Sequence, residues 1–322
     1  MLGIKEVSTH NKADMGSVVH KALELLAWQK KGEQEGILTY RDPELKMDFS
    51  LPDVTPDLVL DVAYDHYKNA SHLTWKDSNY EDCKTWLKDT LEYNNGLYDP
   101  RKRHVISPEV FFDFTIDEPW AKYEYQDPFT GESFKGTLAI KGTIDLVTLV
   151  NDNTIEYLDW KTGRRYSWSK DCVKTPSLLY KDFQLLLYHY ALCRLYPQYE
   201  NIFVTIFFCR DGGPFPICFD THHNKTFLKM LQASFEKIQN TKIPERIITD
   251  PEKNGKCFSF CGYHKSKWEN TQDSVCKHIH KEIVSLGVDR VIKKYGHKNA
   301  YASYGSGGGQ SNQGNVAKDI RH

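Results

Sequence analysis

A chain of 322 residues, 40% hydrophobic and 13% aromatic, is long and apolar enough to bury a sizeable core, which excludes a wholly disordered protein. Its net charge of −1 excludes binding driven by overall positive charge, so any contact with a polyanion must come from a local patch. No run approaches about 18 apolar residues, and the opening Met1-Leu2-Gly3-Ile4-Lys5-Glu6 lacks the apolar stretch of a secretory signal; the expectation is a cytoplasmic protein (host cytoplasm if the source is viral) with no membrane partner.

The first predicted element is a helix opened by Asp14-Met15-Gly16-Ser17-Val18-Val19-His20, with Val19, Ala22, Leu23, Leu26 and Ala27 at the i, i+3, i+4, i+7, i+8 spacing of an apolar face. His20 borders that stripe, where a hydrogen-bonded core histidine and a ligand both fit. Residues 40–100 carry Pro52, Pro56 and two helical patches, at about 57–67 and 80–93, and read as a helical insertion that shapes access to whatever lies beyond it. Strands follow at 109–116 and 121–125, and Glu109 is either a charged strand edge or an acid belonging to a site.

The next stretch carries the chemistry. Residues 143–150 are rich in β-branched side chains, Asn151-Asp152-Asn153 supplies turn residues, and 154–160 reads as the returning strand of a hairpin. Successive side chains of a strand point to opposite faces, so Asp159 and Lys161 share one face while Trp160 points away. If the two strands pair, Asp145 lies near Asp159, and two close carboxylates repel unless a cation sits between them. Hard oxygen ligands suit Mg²⁺ or Mn²⁺, and a neighbouring ammonium can stabilise charge on a phosphoryl group. A solvated hairpin with an Asp-Lys pair at its rim, worth roughly 0–1 kcal/mol, would also explain this segment alone.

Beyond the hairpin, residues 161–181 hold six Lys or Arg against one acid, Asp171. Arg164, Arg165 and Lys170 interleave with Tyr166 and Trp168, a pattern suited to a phosphate track with base stacking; a solvated loop is the plainer alternative. A helix is predicted from about Lys181 to Leu195, placing Gln184 and Tyr188 four residues apart on one face. An apolar strand at 202–209 and a helix at about 224–239 with Phe227, Leu228, Leu231 and Phe235 at helical spacing complete the predicted core. The order of elements gives an α/β fold, a mixed central β-sheet flanked by helices.

Taken together, Gly16 to His20, Gly142 to Asp145, Asp159 to Lys161 in the context Asp-Trp-Lys-Thr-Gly, and Gln184 to Tyr188 resemble, in order, the four motifs of the RecB-like branch of the PD-(D/E)xK nuclease superfamily. The resemblance spans roughly residues 14–195. It implies a restriction-endonuclease-like core, a Mg²⁺ or Mn²⁺ ion held by His20, Asp145 and Asp159, and Lys161 as base or charge stabiliser. It also implies that Gln184 and Tyr188 contact DNA or support the lysine, and that Glu109 supplies an additional acid. The expected activity is metal-dependent hydrolysis of DNA phosphodiester bonds, as an exonuclease of recombination, repair or replication acting on single- or double-stranded ends. A helicase or annealing partner is left open. An endonuclease on the same core, or a non-catalytic nucleic-acid-binding protein retaining the fold, are the alternatives.

Eight cysteines without a secretory signal argue for reduced thiols, and Cys172, Cys193, Cys209 and Cys218 read as buried small hydrophobes. Cys257, Cys261 and Cys276, with His264 and His278, form a separate late group. In the RecB-like branch three cysteines after the core, with one before it, often hold a [4Fe-4S] cluster. Here the spacings differ and Cys83 is the only early candidate, so an iron-sulfur cluster, a zinc site and a metal-free packing segment all stay open. A basic amphipathic helix is predicted at 279–295. The organisation expected is one nuclease domain over 1–298, with the insertion at about 40–100 and the Cys/His segment at about 250–298, followed by a disordered Gly/Ser/Gln/Asn-rich tail, 299–322.

Overall fold

The Asp-Trp-Lys strand lies at the centre of a five-stranded sheet in the computed structural model, which describes residues 11–126, 131–163, 175–210, 213–240, 257, 261–265, 267–268 and 271–299. The strands are β3 (His104–Thr115), β6 (Ala139–Asn151), β7 (Thr154–Lys161), β8 (Asn201–Phe208) and β9 (Gly213–Cys218), in the spatial order β3-β6-β7-β8-β9. Only β7 and β8 run parallel; the other neighbours are antiparallel, as a tight turn between β6 and β7 requires. The sheet is therefore mixed, as the order of elements predicts. Two short hairpins stand apart from it, β1 (Thr39–Asp42) with β2 (Met47–Ser50), and β4 (Lys122–Gln126) with β5 (Ser133–Thr137).

The sheet separates two cores. On one face, Leu146, Leu158, Trp160 and Phe207 pack with α1 (Lys12–Glu35), α2 (Pro56–Ala70) and α3 (Asp77–Glu92). On the other, Ile155, Tyr157, Val204 and Phe208 pack with α5 (Phe183–Leu195) and α6 (Thr221–Asn240), which follow the single-turn α4 (Pro176–Leu179). The alternation along β7 is the cause: Leu158 and Trp160 serve one core, while Ile155 and Tyr157 serve the other. The insertion helices cover α1, so Met15, Val18 and Leu25 are buried beside the predicted stripe of Val19, Ala22, Leu23, Leu26 and Ala27. At one end of the sheet Arg103 is held by Glu156, by Thr148 Oγ1 at 3.1 Å and by the Leu97 carbonyl at 2.8 Å, while Thr205 donates to Glu156 at 2.5 Å.

Contacts divide the chain into two compact units, one of residues 10–124 with 135–241 and the other of 1–9, 125–134 and 242–322. In the second, helices Val275–Leu286 and Val288–Asn299 pack through Ile279 and Val291, with Trp268 stacked on His278 at 4.7 Å between ring centroids. The single helix predicted at 279–295 is thus two, broken at Gly287, whose φ of 82° leaves the helical region. Cys257, Cys261 and Cys276 are half-buried.

Other differences have equally local causes. Strands β1, β2, β5 and β9 are absent from the sequence reading; β9 carries Pro214 and Pro216, tolerated because it lies at the sheet edge. Cys218 is exposed on that edge rather than buried, Cys193 is half-buried, and Cys209 is buried as expected. Cys83 is sealed between α1 and α3, donating to the Met15 carbonyl, and burial pushes its thiol up to about 12. Cys172, the track residues Arg164, Arg165, Tyr166, Trp168 and Lys170, and the tail beyond Asn299 lie outside the described residues. No helix of the described residues is long and apolar enough to cross a membrane.

Candidate active site

The hairpin register aligns three acids. The β6–β7 ladder ends at Leu146 with Leu158, the residues next to Asp145 and Asp159; Pro108 and Val110, which flank Glu109, pair with Leu146 and Ile144, which flank Asp145. The sheet is irregular at this row. Glu109 has a φ of 46°, a left-handed conformation that a non-glycine residue adopts at a cost, and Ile144 and Leu146, two apart, pack into opposite cores. Asp145 is thereby freed from the ladder: its Oδ2 accepts the Trp160 amide at 2.9 Å and lies 3.5 Å from His20 Nδ1.

His20 reaches the sheet because α1 passes close to the end of β7. A Cβ on Gly16 would sit 2.7 Å from Thr162 Oγ1, and one on Gly142 would sit 2.7 Å from the Phe112 ring. Both motif glycines are therefore required by space: the first sets the approach of the histidine helix, the second admits Phe112 across the aspartate strand. One turn after Gly16, the His20 ring meets the edge of Trp160 with centroids 6.5 Å apart. Burial alone would lower the imidazole pKa, but the Asp145 carboxylate outweighs it and raises it.

Asp159 is 2% exposed. Its Oδ1 accepts two hydrogen bonds, from Tyr157 OH at 2.7 Å and from Lys161 Nζ at 3.0 Å. Its Oδ2 lies 2.8 Å from the same ammonium, so Lys161 spans both oxygens while Tyr157 reaches only Oδ1. Burial raises the Asp159 pKa, Lys161 opposes that rise and Asp145 adds to it. For Lys161 burial acts downward, yet Asp159 dominates and the pKa is raised, so the side chain is a cation at neutral pH. Lys161 Nζ also donates to Gln184 Oε1 at 3.2 Å, and Gln184 Nε2 donates to Tyr188 OH at 2.8 Å. The helix cap fixes this relay: Asp182 accepts the Gln184 and Leu185 amides, which holds Gln184 in the first turn of α5 with its Oε1 on Lys161.

The structure brings His20, Asp145, Asp159, Lys161, Gln184 and Tyr188 into one connected array. Glu109 lines a cleft of about 420 Å³ with Gly16, His20, Glu24, Glu44, Tyr67 and Thr162, beside that array. Among the described residues no three His, Cys, Asp or Glu side chains are already gathered as a metal cage. The donor set nonetheless fits a hard divalent cation: a buried carboxylate, a second carboxylate and an imidazole, with Lys161 balancing part of the charge.

Two features escaped sequence reasoning. Tyr157, fully buried, contacts Asp159 directly; its only signal was its place two residues before Asp159 on the same strand face. Behind the cleft, Lys21 is buried against Glu24 at 2.5 Å, Asp42 at 3.1 Å and Glu44 at 3.2 Å. Burial pushes Glu24 up to about 8, with Glu109 adding to the rise and Lys21 opposing it. One ammonium cannot neutralise that many acids, so Glu24 keeps its proton at neutral pH; Asp42 also accepts the Glu44 and Leu45 amides.

Comparison with known proteins agrees with the motif pattern. A family model described as the PD-(D/E)XK nuclease superfamily matches residues 1–266. No curated protein matches the chain. Among solved structures, the crystal structure of a "putative exonuclease" from Eubacterium rectale is similar over 88% of this chain and 100% of its own, at 11% identity and a TM-score of 0.36.

Proposed function

The chain belongs to the PD-(D/E)XK nuclease superfamily, and on that premise we propose that it is a divalent-metal-dependent deoxyribonuclease of the RecB-like branch, acting as an exonuclease on DNA ends in recombination, repair or replication. The observation that carries the reading is the Asp159 carboxylate: buried, fixed by Tyr157 through Oδ1 and ion-paired with Lys161, on the strand whose Trp160 amide binds the Asp145 carboxylate paired with His20.

His20, Asp145 and Asp159 would hold Mg²⁺ or Mn²⁺, with Glu109 available from the same row. When bound, such an ion polarises a phosphodiester, lowers the pKa of water and steadies a leaving oxygen. The protein's own groups do the rest. Lys161, charged and fixed by Asp159 and Gln184, presents an ammonium to the phosphoryl oxygens where charge develops, and so acts as a charge stabiliser rather than a base. Gln184 and Tyr188 keep the lysine from swinging into solvent. Arg164, Arg165, Tyr166, Trp168 and Lys170 follow the Asp-Trp-Lys segment in sequence, and their mix of cations and aromatics suits a track for single strands or frayed ends. Cys257, Cys261 and Cys276 are held in reserve as ligands of an iron-sulfur cluster or zinc, readable from visible absorbance and metal analysis.

The test is cleavage of end-labelled linear and covalently closed circular DNA with Mn²⁺ and with EDTA. Loss of linear DNA only, abolished by EDTA and by Asp159→Ala with folding retained, supports the reading. Cleavage of the closed circle assigns an endonuclease; activity surviving Asp159→Ala removes the site.

A further inference from the structure

We propose that Tyr157 is a positioning residue that selects which oxygen of Asp159 faces the cation. The inference rests on the metal-dependent reading above and adds to it a residue outside the four motifs. A carboxylate can turn about its terminal bond and present either oxygen, so a ligand at the end of a short side chain needs partners that fix it. Asp159 has two: the Tyr157 hydroxyl, 2.7 Å from Oδ1, and the Lys161 ammonium, 3.0 Å from Oδ1 and 2.8 Å from Oδ2. A phenol has a single proton to donate, and here it is spent on Asp159.

The arrangement is rigid. Tyr157 is 0% exposed, and its ring meets Tyr188 edge-on at 5.2 Å between centroids, so the hydroxyl cannot follow a rotating carboxylate. Oδ1 thus holds both partners, and Oδ2 has the ammonium alone. Lys161 alone could not impose the choice, because its Nζ lies within ion-pairing distance of both oxygens. The neutral hydroxyl breaks that near-symmetry without adding charge to a site already crowded with it. Any buried tyrosine hydroxyl needs a partner, so the plainer role is satisfaction of the core alone.

Calorimetric titration of Mn²⁺ into the full chain without DNA separates the two. Tyr157→Phe keeps the ring and removes one oxygen. We expect Mn²⁺ affinity to fall about 10- to 100-fold, the range for partners of metal ligands, with the metal-free melting temperature nearly unchanged. Phe112→Leu disturbs the same aromatic cluster, 6.2 Å from Tyr188, without touching Asp159, and should leave Mn²⁺ affinity within about twofold while lowering stability. Wild-type affinity in Tyr157→Phe overturns the proposal, as does an equal loss in Phe112→Leu. So does a Tyr157→Phe chain that fails to fold, which would assign the hydroxyl to the core. If the wild-type chain neither binds Mn²⁺ nor cleaves DNA, the nuclease reading falls and this one with it. If it does both and Tyr157→Phe matches it, only the Tyr157 assignment is lost.

Discussion

Gly16→Ala is the mildest substitution that should disable the site without touching any group that does chemistry. The added methyl would lie 2.7 Å from Thr162 Oγ1, whereas ordinary contact begins at 3.4 Å, so helix and strand must part by 0.7 Å, or Thr162 must turn. Turning is limited, because a β-branched side chain swings its own methyl toward the space the hydroxyl leaves. Overpacking of this kind costs about 1–3 kcal/mol. The functional cost should be larger in proportion, since His20 is one helical turn from Gly16 and metal ligation tolerates only about 0.2 Å. A misplacement approaching 1 Å can cost about 10²-fold in rate, so kcat/KM on linear DNA at limiting Mn²⁺ should fall roughly 10- to 100-fold. High Mn²⁺ should recover part of the loss. Thr162→Ala removes the obstructing oxygen, and the double variant should return most of the activity and the melting temperature. Full activity in Gly16→Ala, or a double variant no better than the single, would refute the argument that this glycine sets the helix approach.

Three further outcomes follow from the geometry. Lys161→Ala should lower kcat about 10²- to 10³-fold while Mn²⁺ binding, followed by calorimetry, persists or tightens, because the ammonium competes for Asp159 without being a ligand. Glu24 should make stability fall as pH rises: its folded pKa, about 8, lies above the unfolded 4.5, so the folded state holds the extra proton between them and loses that advantage as pH climbs through the window. The Lys21 contribution stays constant there, being present in full below 10.5. Glu24→Gln should flatten the melting-temperature profile between pH 5 and pH 8, and a profile as steep as wild type would discard the protonated Glu24. Glu156→Ala should leave Arg103, with 13% of its side chain exposed, without its carboxylate and cost about 3 kcal/mol, read as a fall of about 6–12 °C in melting temperature.

The site was legible in the sequence to the extent that periodicity encodes direction. A strand period of two puts Asp159 and Lys161 on one face, a helical period puts Gln184 and Tyr188 on another, and the Asn151-Asp152-Asn153 turn returns the chain so that the Asp145 carboxylate meets the Trp160 amide next to Asp159. What escaped depends on contacts between segments distant in sequence. The reason for Gly16 lies in Thr162, and that for Gly142 in Phe112. Lys21, Glu24 and Asp42 look like a solvated face until α2 and the β1–β2 hairpin cover them. The twist at Glu109 leaves no trace in a charged strand residue, and Tyr157 reads as an ordinary aromatic of a central strand. Edge strand β9 was obscured by the two prolines that its position tolerates.

The central claim is that His20, Asp145 and Asp159, drawn from three different elements, share one cation. Calorimetric titration of Mn²⁺ into His20→Ala, Asp145→Asn and Asp159→Asn, each checked for an intact melting transition, addresses it directly. Each substitution should weaken Mn²⁺ binding by at least about tenfold relative to wild type, with cleavage lost in parallel. Wild-type Mn²⁺ affinity in any folded member of the three would contradict the shared site.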